Sequence, residues 1–336
     1  MKNLLYIGNK LSTKGKTVTS IETLGRFLEA EGFIVKTASS KTNKFFRLVD
    51  MLHHVIKYRK ETNYVLIDTY STSNFYYALL VSQLCRFFKL KYIPILRGGN
   101  LPKRLKSNPN LSKAIFNNAL INVAPSEYVK SSFESFNYTN LVCIPNTIEL
   151  DNYPFKIREL DTVKLLWVRS FSEIYNPLLA IKLLKILKNE KLDASLCMVG
   201  PDNDGYLEKA KSLANDLKVD VSFTGKLSKE AWIKHSENFN IFINTTNFDN
   251  MPVSVIEAMA LGIPIISTNV GGIPFLIEHK IDGVLVNPNS IDEFLNAIKE
   301  LLQEPKMVVE MTTNARKKVE QFDWKYVKNK WHTVLQ

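Results

Sequence analysis

Short apolar runs alternate along the whole chain with longer stretches in which apolar residues recur every three or four positions. That alternation predicts repeated strand–helix units and parallel sheets. In the first half the strands read as Asn3 to Ile7, Phe33 to Ala38, Tyr64 to Asp68, Lys91 to Leu96, Leu120 to Ala124 and Leu141 to Ile144. The second half repeats the rhythm with Lys164 to Val168, Ala194 to Val199, Val221 to Thr224, Ile241 to Asn244, Pro264 to Ser267 and Val284 to Val286. Helices fill the gaps, one of them from near Thr17 to Gly32, where glycine can take the left-handed conformation that ends a helix. Periodicity lapses between Pro145 and Arg158, where Pro145, Asn146, Asp151, Asn152 and Pro154 supply turn chemistry, so a linker is expected there. The fold class is α/β, with two doubly wound, Rossmann-like domains at 1–155 and 156–322.

Length agrees with that division, since 336 residues are too many for one ordinary core and enough for two. An apolar fraction of 45% beside 23% charged residues excludes a disordered chain. The opening run Met1 to Gly8 is too short for a signal-peptide core or a membrane span. Cys85, Cys143 and Cys197 are odd in number, widely spaced and free of any Cys-x-x-Cys pair, which argues against a disulfide framework and for a reducing, cytoplasmic setting.

Charge changes the picture more. Of 44 Lys and Arg, 21 lie in residues 1–150 beside only 9 of the 33 Asp and Glu, so the first half carries +12 and the remainder −1. The excess is concentrated in 41–60 and 86–113, interleaved with Phe45, Phe46, Phe87, Phe88 and Tyr92. Nucleic acid, anionic lipid or a phosphate-bearing small molecule can each supply the matching acidity. Across Lys44 to Lys60, Phe45, Leu48, Val49, Leu52, Val55 and Ile56 fall on one helical face, with Lys44, Arg47, Lys57, Arg59 and Lys60 mostly off it. An interfacial helix and an ordinary basic surface helix both fit. Nucleic acid is not expected, because no reader module accompanies the basic residues.

Doubly wound sheets bind ligands beyond the carboxyl ends of their strands, so the loops there are where chemistry is sought. After the first strand, Gly15-Lys16-Thr17 ends like a P-loop, but Lys10 stands where the leading glycine is needed; Gly15 remains a candidate anion contact at a helix start. No metal is expected: the five histidines form no His-x-x-x-His pair, and Asp202 and Asp204 precede a helical pattern that they can cap. No Gly-x-Ser-x-Gly or catalytic-type cysteine motif occurs, and Cys143 and Cys197 sit in apolar strands.

The strongest segment runs from Asn244 to Gly272 as strand, loop, helix, strand and loop. Asp249 falls in the first loop, Pro252 near the first helical turn and Glu257 inside the helix. The amides of Met251 to Ser254, with Pro252 among them and Val253 beside it, can then point at a phosphate while Glu257 reaches a ribose hydroxyl. A helix-capping Asp249 and a surface Glu257 fit the same spacing.

This segment resembles the donor-site signature of family-4 glycosyltransferases of the GT-B fold, which reads Glu, seven residues, then Glu-Ala-Met-Ala-x-Gly-x-Pro. The similarity extends through Gly271-Gly272 and Gly283, back to Val199-Gly200-Pro201 and Phe223-Thr224-Gly225, and to Pro125-Ser126-Glu127-Tyr128 and Ile144-Pro145-Asn146. It implies two Rossmann-like domains facing a central cleft, with the closing helix at 323–336 packed back on the first. It further implies retaining, metal-independent transfer from a nucleotide diphosphate sugar held by the C-terminal domain to an acceptor held by the N-terminal one. By resemblance, Glu257 binds the ribose, Arg169 grips the diphosphate with its planar fork and offsets the leaving charge, and Gly200, Gly225 and Lys226 line the donor pocket.

Three positions depart from the family pattern. Tyr175-Asn176-Pro177 replaces the usual Lys-Gly after the arginine, Asp249 replaces the leading glutamate, and Arg97, followed by Gly98-Gly99-Asn100, stands where a histidine is usual. Arg97 at a strand's carboxyl end is therefore a candidate for the diphosphate or an acceptor phosphate. The expected partners are a nucleotide-sugar donor, a cell-surface glycan or lipid-linked acceptor, and an anionic membrane surface, which would place the protein in the cytoplasm or on the inner membrane face. A nucleotide-sugar epimerase on the same architecture and a non-catalytic nucleotide-sugar-binding module are the alternatives.

Overall fold

The structure is a computed structural model, and it describes residues 2–11, 19–202 and 204–336. It divides into two compact units, one made of Met1–Asn146 with Trp324–Gln336, the other of Thr147–Asp323. Each is built on a parallel sheet with helices on both faces.

In the first unit, β1 (Asn3–Ile7), β2 (Ile34–Ala38), β3 (Tyr64–Thr69), β4 (Tyr92–Leu96), β5 (Asn122–Ala124) and β6 (Leu141–Cys143) lie in the order β2-β1-β3-β4-β5-β6. Side chains of a strand alternate between faces, and here both faces are buried, so β1 reads as an unbroken apolar run. Leu4 and Tyr6 enter a core with α1 (Ser20–Ala30) and the closing helix, whereas Leu5 and Ile7 enter another with α2 (Lys44–Tyr58) and α3 (Asn74–Phe87). Helices α4 (Leu101–Ser107), α5 (Pro109–Phe116) and α6 (Glu127–Glu134) enclose a third cluster around Phe116 and Phe133.

The second unit has β7 (Val163–Val168), β8 (Ala194–Val199), β9 (Ser222–Gly225), β10 (Ile241–Asn244), β11 (Ile265–Thr268) and β12 (Val284–Val286) in the order β12-β11-β10-β7-β8-β9. Val163, Leu165 and Trp167 face α7 (Pro177–Asn189), α8 (Tyr206–Asp216) and α12 (Ile291–Gln303). Leu166 faces the opposite core, with α9 (Lys229–Ser236), α10 (Val253–Ala260), α11 (Ile273–Leu276) and α13 (Pro305–Glu320). The last helix, α14 (Trp324–Val334), buries Trp324, Val327 and Trp331 in the first unit, with Trp324 stacked on Phe27 at 4.8 Å.

Every expected strand is present within two residues of its predicted ends. The division falls earlier than the 155/156 boundary that the turn residues suggested. Ile148 is bonded to the Phe322 carbonyl and bridges Asp323, and Ile148, Leu150 and Tyr153 are buried in the second unit's core, so the chain has already joined that unit. The expected face of α2 is also corrected. Arg47 is buried, with Nε donating to the Lys41 carbonyl at 2.7 Å and Nη2 to the Thr42 carbonyl at 2.8 Å, while Phe45, Phe46, Val49 and Ile56 are exposed. Satisfied hydrogen bonds let an arginine replace an apolar residue in the buried stripe.

Candidate functional site

The second sheet runs outward from β7 through β8 to β9, then resumes with β10 on the other side of β7. The loops leaving β7 and β10 therefore diverge at the carboxyl edge, and an open parallel sheet has its natural ligand crevice at such a switch point. Arg169 is the first residue beyond β7, and Asn244 to Asp249 lead away from β10.

These loops bring Arg169 and Asp249 together as an ion pair, with both side chains largely buried. Asp249 Oδ1 also accepts the Asn250 amide at 2.8 Å, and the Tyr175 ring lies 5.0 Å from the Arg169 guanidinium. Burial raises the Tyr175 phenol above its ordinary pKa, so the ring beside the cation is neutral. The turn carrying Tyr175 is fastened to the β10 loop: the Asn247 amide donates to the Ile174 carbonyl at 2.7 Å, and Thr246 Oγ1 lies 3.1 Å from the same oxygen. Trp167 Nε1 donates to Thr245 Oγ1 at 3.0 Å, tying that loop to β7. Arg169 Nε is buried and has no hydrogen-bond acceptor among the described residues.

Gly200 and Gly225 act on this cation from behind. Gly200 has φ +154, and a Cβ there would stand 1.7 Å from the Arg169 carbonyl oxygen, so only glycine lets the β8 exit lie against that backbone. Its amide donates to the Gly225 carbonyl at 2.9 Å, and the Arg169 amide donates to the Val199 carbonyl at 3.0 Å. Lys226 follows at the carboxyl end of β9.

Pro252 is the residue before α10 and has no N–H; the Val255 and Ile256 amides already reach its carbonyl at 3.2 Å. Val253 and Ser254 are the helical positions whose amides lack an intrahelical acceptor, and Ser254 Oγ is buried without a partner among the described residues. The Met251 side chain belongs to the core. Glu257 is only 3% exposed, which removes the surface-acid alternative; Tyr153 Oη donates to its Oε1 at 2.9 Å, and Lys229 pairs with the same oxygen. Asp249 does not cap α10, whose first residue is Val253. Tyr153 and Lys229 were not singled out in the sequence, because one lies in the linker and the other in a polar helix start, with no local pattern joining either to Glu257.

Arg97 lies in the first unit, beyond β4. Its Nε donates to Asp68 Oδ1 at 3.3 Å and its Nη1 to Asn146 Oδ1 at 2.7 Å, while Tyr6 Oη donates to Asp68 Oδ1 at 2.9 Å. Burial pushes the Asp68 carboxyl up, with the Arg97 charge opposing it. Gly15 lies outside the described residues. Asp202 Oδ1 accepts the Asp204 amide at 3.3 Å in the turn before α8 and lies 3.5 Å from the Leu207 amide of its first turn, while Gly205 is the residue at the cap position. Burial pushes the Cys85 and Cys143 thiols up to about 12, which leaves them protonated near neutral pH.

The family model for glycosyl transferases group 1 matches residues 151–318. An Escherichia coli UDP-Gal:alpha-D-GlcNAc-diphosphoundecaprenol alpha-1,3-galactosyltransferase is 26% identical over 196 residues, covering 52% of this chain and 48% of that protein. An uncharacterised glycosyltransferase of Haemophilus influenzae is 26% identical over 205 residues, covering 60% of this chain and 57% of its own. The chain thus spans about half the length of these relatives. Among solved structures, a sucrose-phosphate synthase from Thermosynechococcus elongatus superposes with a TM-score of 0.84 at 16% identity, covering 99% of this chain and 98% of the other. These neighbours share the GT-B fold. With half its length matched by the model, and with the Arg169 crevice and α10 inside that half, this chain belongs to the glycosyl transferases group 1 family.

Proposed function

We propose that the protein transfers a sugar, with retention, from a nucleotide diphosphate sugar to a hydroxyl of a glycan or lipid-linked acceptor, without a metal ion. What supports this reading is that three donor-suited groups follow the neighbouring strands β7 and β10: the Arg169 guanidinium beyond β7, paired with Asp249 of the β10 loop, and, on the helix that this loop leads into, the amides of Val253 and Ser254 and the buried Glu257 carboxylate. Arg169 and the amides suit a diphosphate, and Glu257 suits ribose hydroxyls. As the sugar C1–oxygen bond to the diphosphate breaks, charge grows on the leaving phosphate; Arg169 stabilises it there. A new bond forms from C1 to the acceptor oxygen, whose proton passes to the departing phosphate. A preformed cation is worth most where charge develops in a partly dehydrated site. Gly225 and Lys226 are proposed as further donor contacts, and Arg97 and Gly15 of the first unit as anion contacts, Arg97 for a phosphate in the reaction.

The relative in Escherichia coli is named for a UDP-linked donor and a diphosphoundecaprenol-linked acceptor, and the same donor and acceptor classes are proposed here. Incubating the protein with UDP- and GDP-hexoses and following nucleoside diphosphate release, with and without acceptor, tests the reading. Binding without release would make it a binding module, and epimer formation without acceptor would make it an epimerase.

Membrane association in the cytoplasm is proposed with it. Among the described residues no helix is long and apolar enough to cross a membrane. What supports attachment is the outer side of α2 and α3, where Phe45, Phe46, Val49, Tyr76, Leu80 and Phe87 are exposed. Lys41, Lys44, Lys57, Lys60, Arg86 and Lys89 are interspersed with them. Apolar rings that enter the headgroup boundary and cations that neutralise anionic lipid are the two ingredients of interfacial binding.

A further inference from the structure

We infer that the first unit contains a phosphate-binding subsite of its own, formed by Ser71, Asn100, Lys103, Arg104 and Ser107, and that the acceptor presents a phosphate to it. The acceptor assignment rests on the transfer reading above; the subsite itself does not.

These five residues line a cavity of about 240 Å³. Ser71 comes two residues after β3 and Asn100 four after β4, so the cavity opens at the carboxyl edge of the sheet, where this architecture takes its ligands. Gly98 makes it possible: a Cβ there would stand 2.7 Å from the Ser71 amide nitrogen, so the β4 exit rests directly on the β3 exit. The Leu101 amide then donates to the Gly98 carbonyl at 2.9 Å and turns the chain into α4, which carries Lys103 and Arg104.

Arg104 is already aimed. Its Nε donates to the Ser71 carbonyl and its Nη1 to Asn108 Oδ1, each at 2.8 Å, and the guanidinium lies 5.1 Å from the Phe75 ring. Arg104 Nη2 and Lys103 Nζ remain without partners among the described residues. No Asp or Glu occurs from residue 69 to residue 126, a stretch that carries eight Lys and Arg. The charge in the cavity is therefore left for a ligand to balance. Arg104 Nη2, the Lys103 ammonium, the Ser71 hydroxyl and the Asn100 amide can donate hydrogen bonds, the Ser107 hydroxyl being held by Asn108 Oδ1 at 3.2 Å, and a cationic set of donors is the demand of a tetrahedral, multiply charged phosphate. Lys103 has no role in packing, so it can be replaced without loss of the fold. A sugar phosphate, a prenyl-type diphosphate and a lipid headgroup all present this group.

The test is the acylation rate of Lys103 in the full chain, read by peptide mass spectrometry with the exposed Lys182 as reference. Inorganic pyrophosphate and a hexose phosphate form one arm, phosphatidylglycerol vesicles a second and chloride at matched ionic strength the control. Soluble phosphate at ten times its dissociation constant is expected to slow Lys103 labelling roughly tenfold, by occupancy alone. Lys182 labelling should stay constant. No protection beyond chloride overturns the subsite, and protection by vesicles alone overturns the acceptor assignment in favour of a headgroup. The Lys103→Ala variant should keep acceptor-free donor hydrolysis while raising the KM for a phosphate-bearing acceptor; an unchanged KM overturns the assignment. A wild-type protein with no turnover would end the transfer reading while leaving the labelling result standing.

Discussion

Arg169 and Asp249, eighty residues apart in sequence, are joined as an ion pair where β7 and β10 part. The cation suited to the donor's diphosphate is thus neutralised by a carboxylate from the very segment that resembles the donor signature. A diphosphate that takes Arg169 must compete with Asp249. Replacing Asp249 by Asn should therefore tighten nucleoside diphosphate binding by about tenfold, the scale of one charge-assisted hydrogen bond in a largely buried pair. Calorimetric titration that shows weaker binding would remove this competition. Replacing Arg169 by Ala should lower kcat/KM for transfer by roughly 10²–10³, as loss of a charge-stabilising donor does elsewhere.

Glu257 supports a second expectation. Glu257→Gln keeps the volume and the Tyr153 contact but removes the charge that attracts Lys229, and it should weaken nucleotide binding by about 10- to 100-fold, the worth of a charge-assisted hydrogen bond. Tyr153→Phe should cost about 1 kcal/mol of stability in urea titrations, because a buried hydrogen bond is lost without creating a cavity. A larger effect of Tyr153→Phe on nucleotide affinity than of Glu257→Gln would reverse their roles.

Gly200 gives a structural test of how the arginine is held. A methyl group there meets the Arg169 carbonyl, a backbone atom that cannot swing aside, and it also meets a backbone angle that L-residues avoid. Gly200→Ala should cost roughly 3 kcal/mol or more, seen as a lower urea midpoint. Full stability would mean that the β8 exit relaxes freely.

Acid should loosen the closing helix first through Glu31. Burial pushes this carboxyl up, but hydrogen bonds from His332, Lys328 and Trp324 outweigh it and hold its pKa below the ordinary value of 4.5. A carboxyl lowered in the folded state contributes stability above its unfolded pKa and loses it as pH falls through the folded one. Trp324 fluorescence should accordingly report weaker docking of α14 below about pH 4.5. Glu31→Gln should be less stable at pH 7 and flatter across that range. Identical acid profiles for the two proteins would exclude Glu31 as the source.

Exposed rings on α2 and α3 set the expected membrane behaviour. Phe87 is 78% exposed, Phe45 68% and Phe46 62%, outside the buried cores. Flotation with vesicles rich in anionic lipid should capture the wild type at moderate salt, and the Phe45→Ser, Phe46→Ser, Phe87→Ser variant should lose most of that capture while folding normally. Equal capture by neutral vesicles would rule out the electrostatic part.

The strand pattern was readable because a strand buried on both faces must be apolar at every position, as Leu4 to Ile7 and Leu165 to Trp167 are. Which positions of helix α2 turn inward was not legible for the converse reason. Its apolar positions exceed what one face can bury, and only packing decides that Met51 and Val55 go inward with Arg47 while Phe45 and Phe46 stay out. The end of the first unit was misplaced because turn residues mark where the chain bends, not which core it joins; Ile148 and Tyr153 join the second.

The sequence by itself determined that two parallel α/β units form, that positive charge gathers in the first, that Arg169 sits at a strand end, and that Glu257 lies within the helix that follows β10 and its loop. Local periodicity and residue type carry that information. Tertiary structure alone decided that Arg169 meets Asp249, that Tyr153 and Lys229 share one oxygen of Glu257, and that Ser71, Lys103 and Arg104 enclose a common cavity. Those partners lie far apart along the chain, and only strand order and the close approach of backbone at Gly98 and Gly200 bring them within bonding distance.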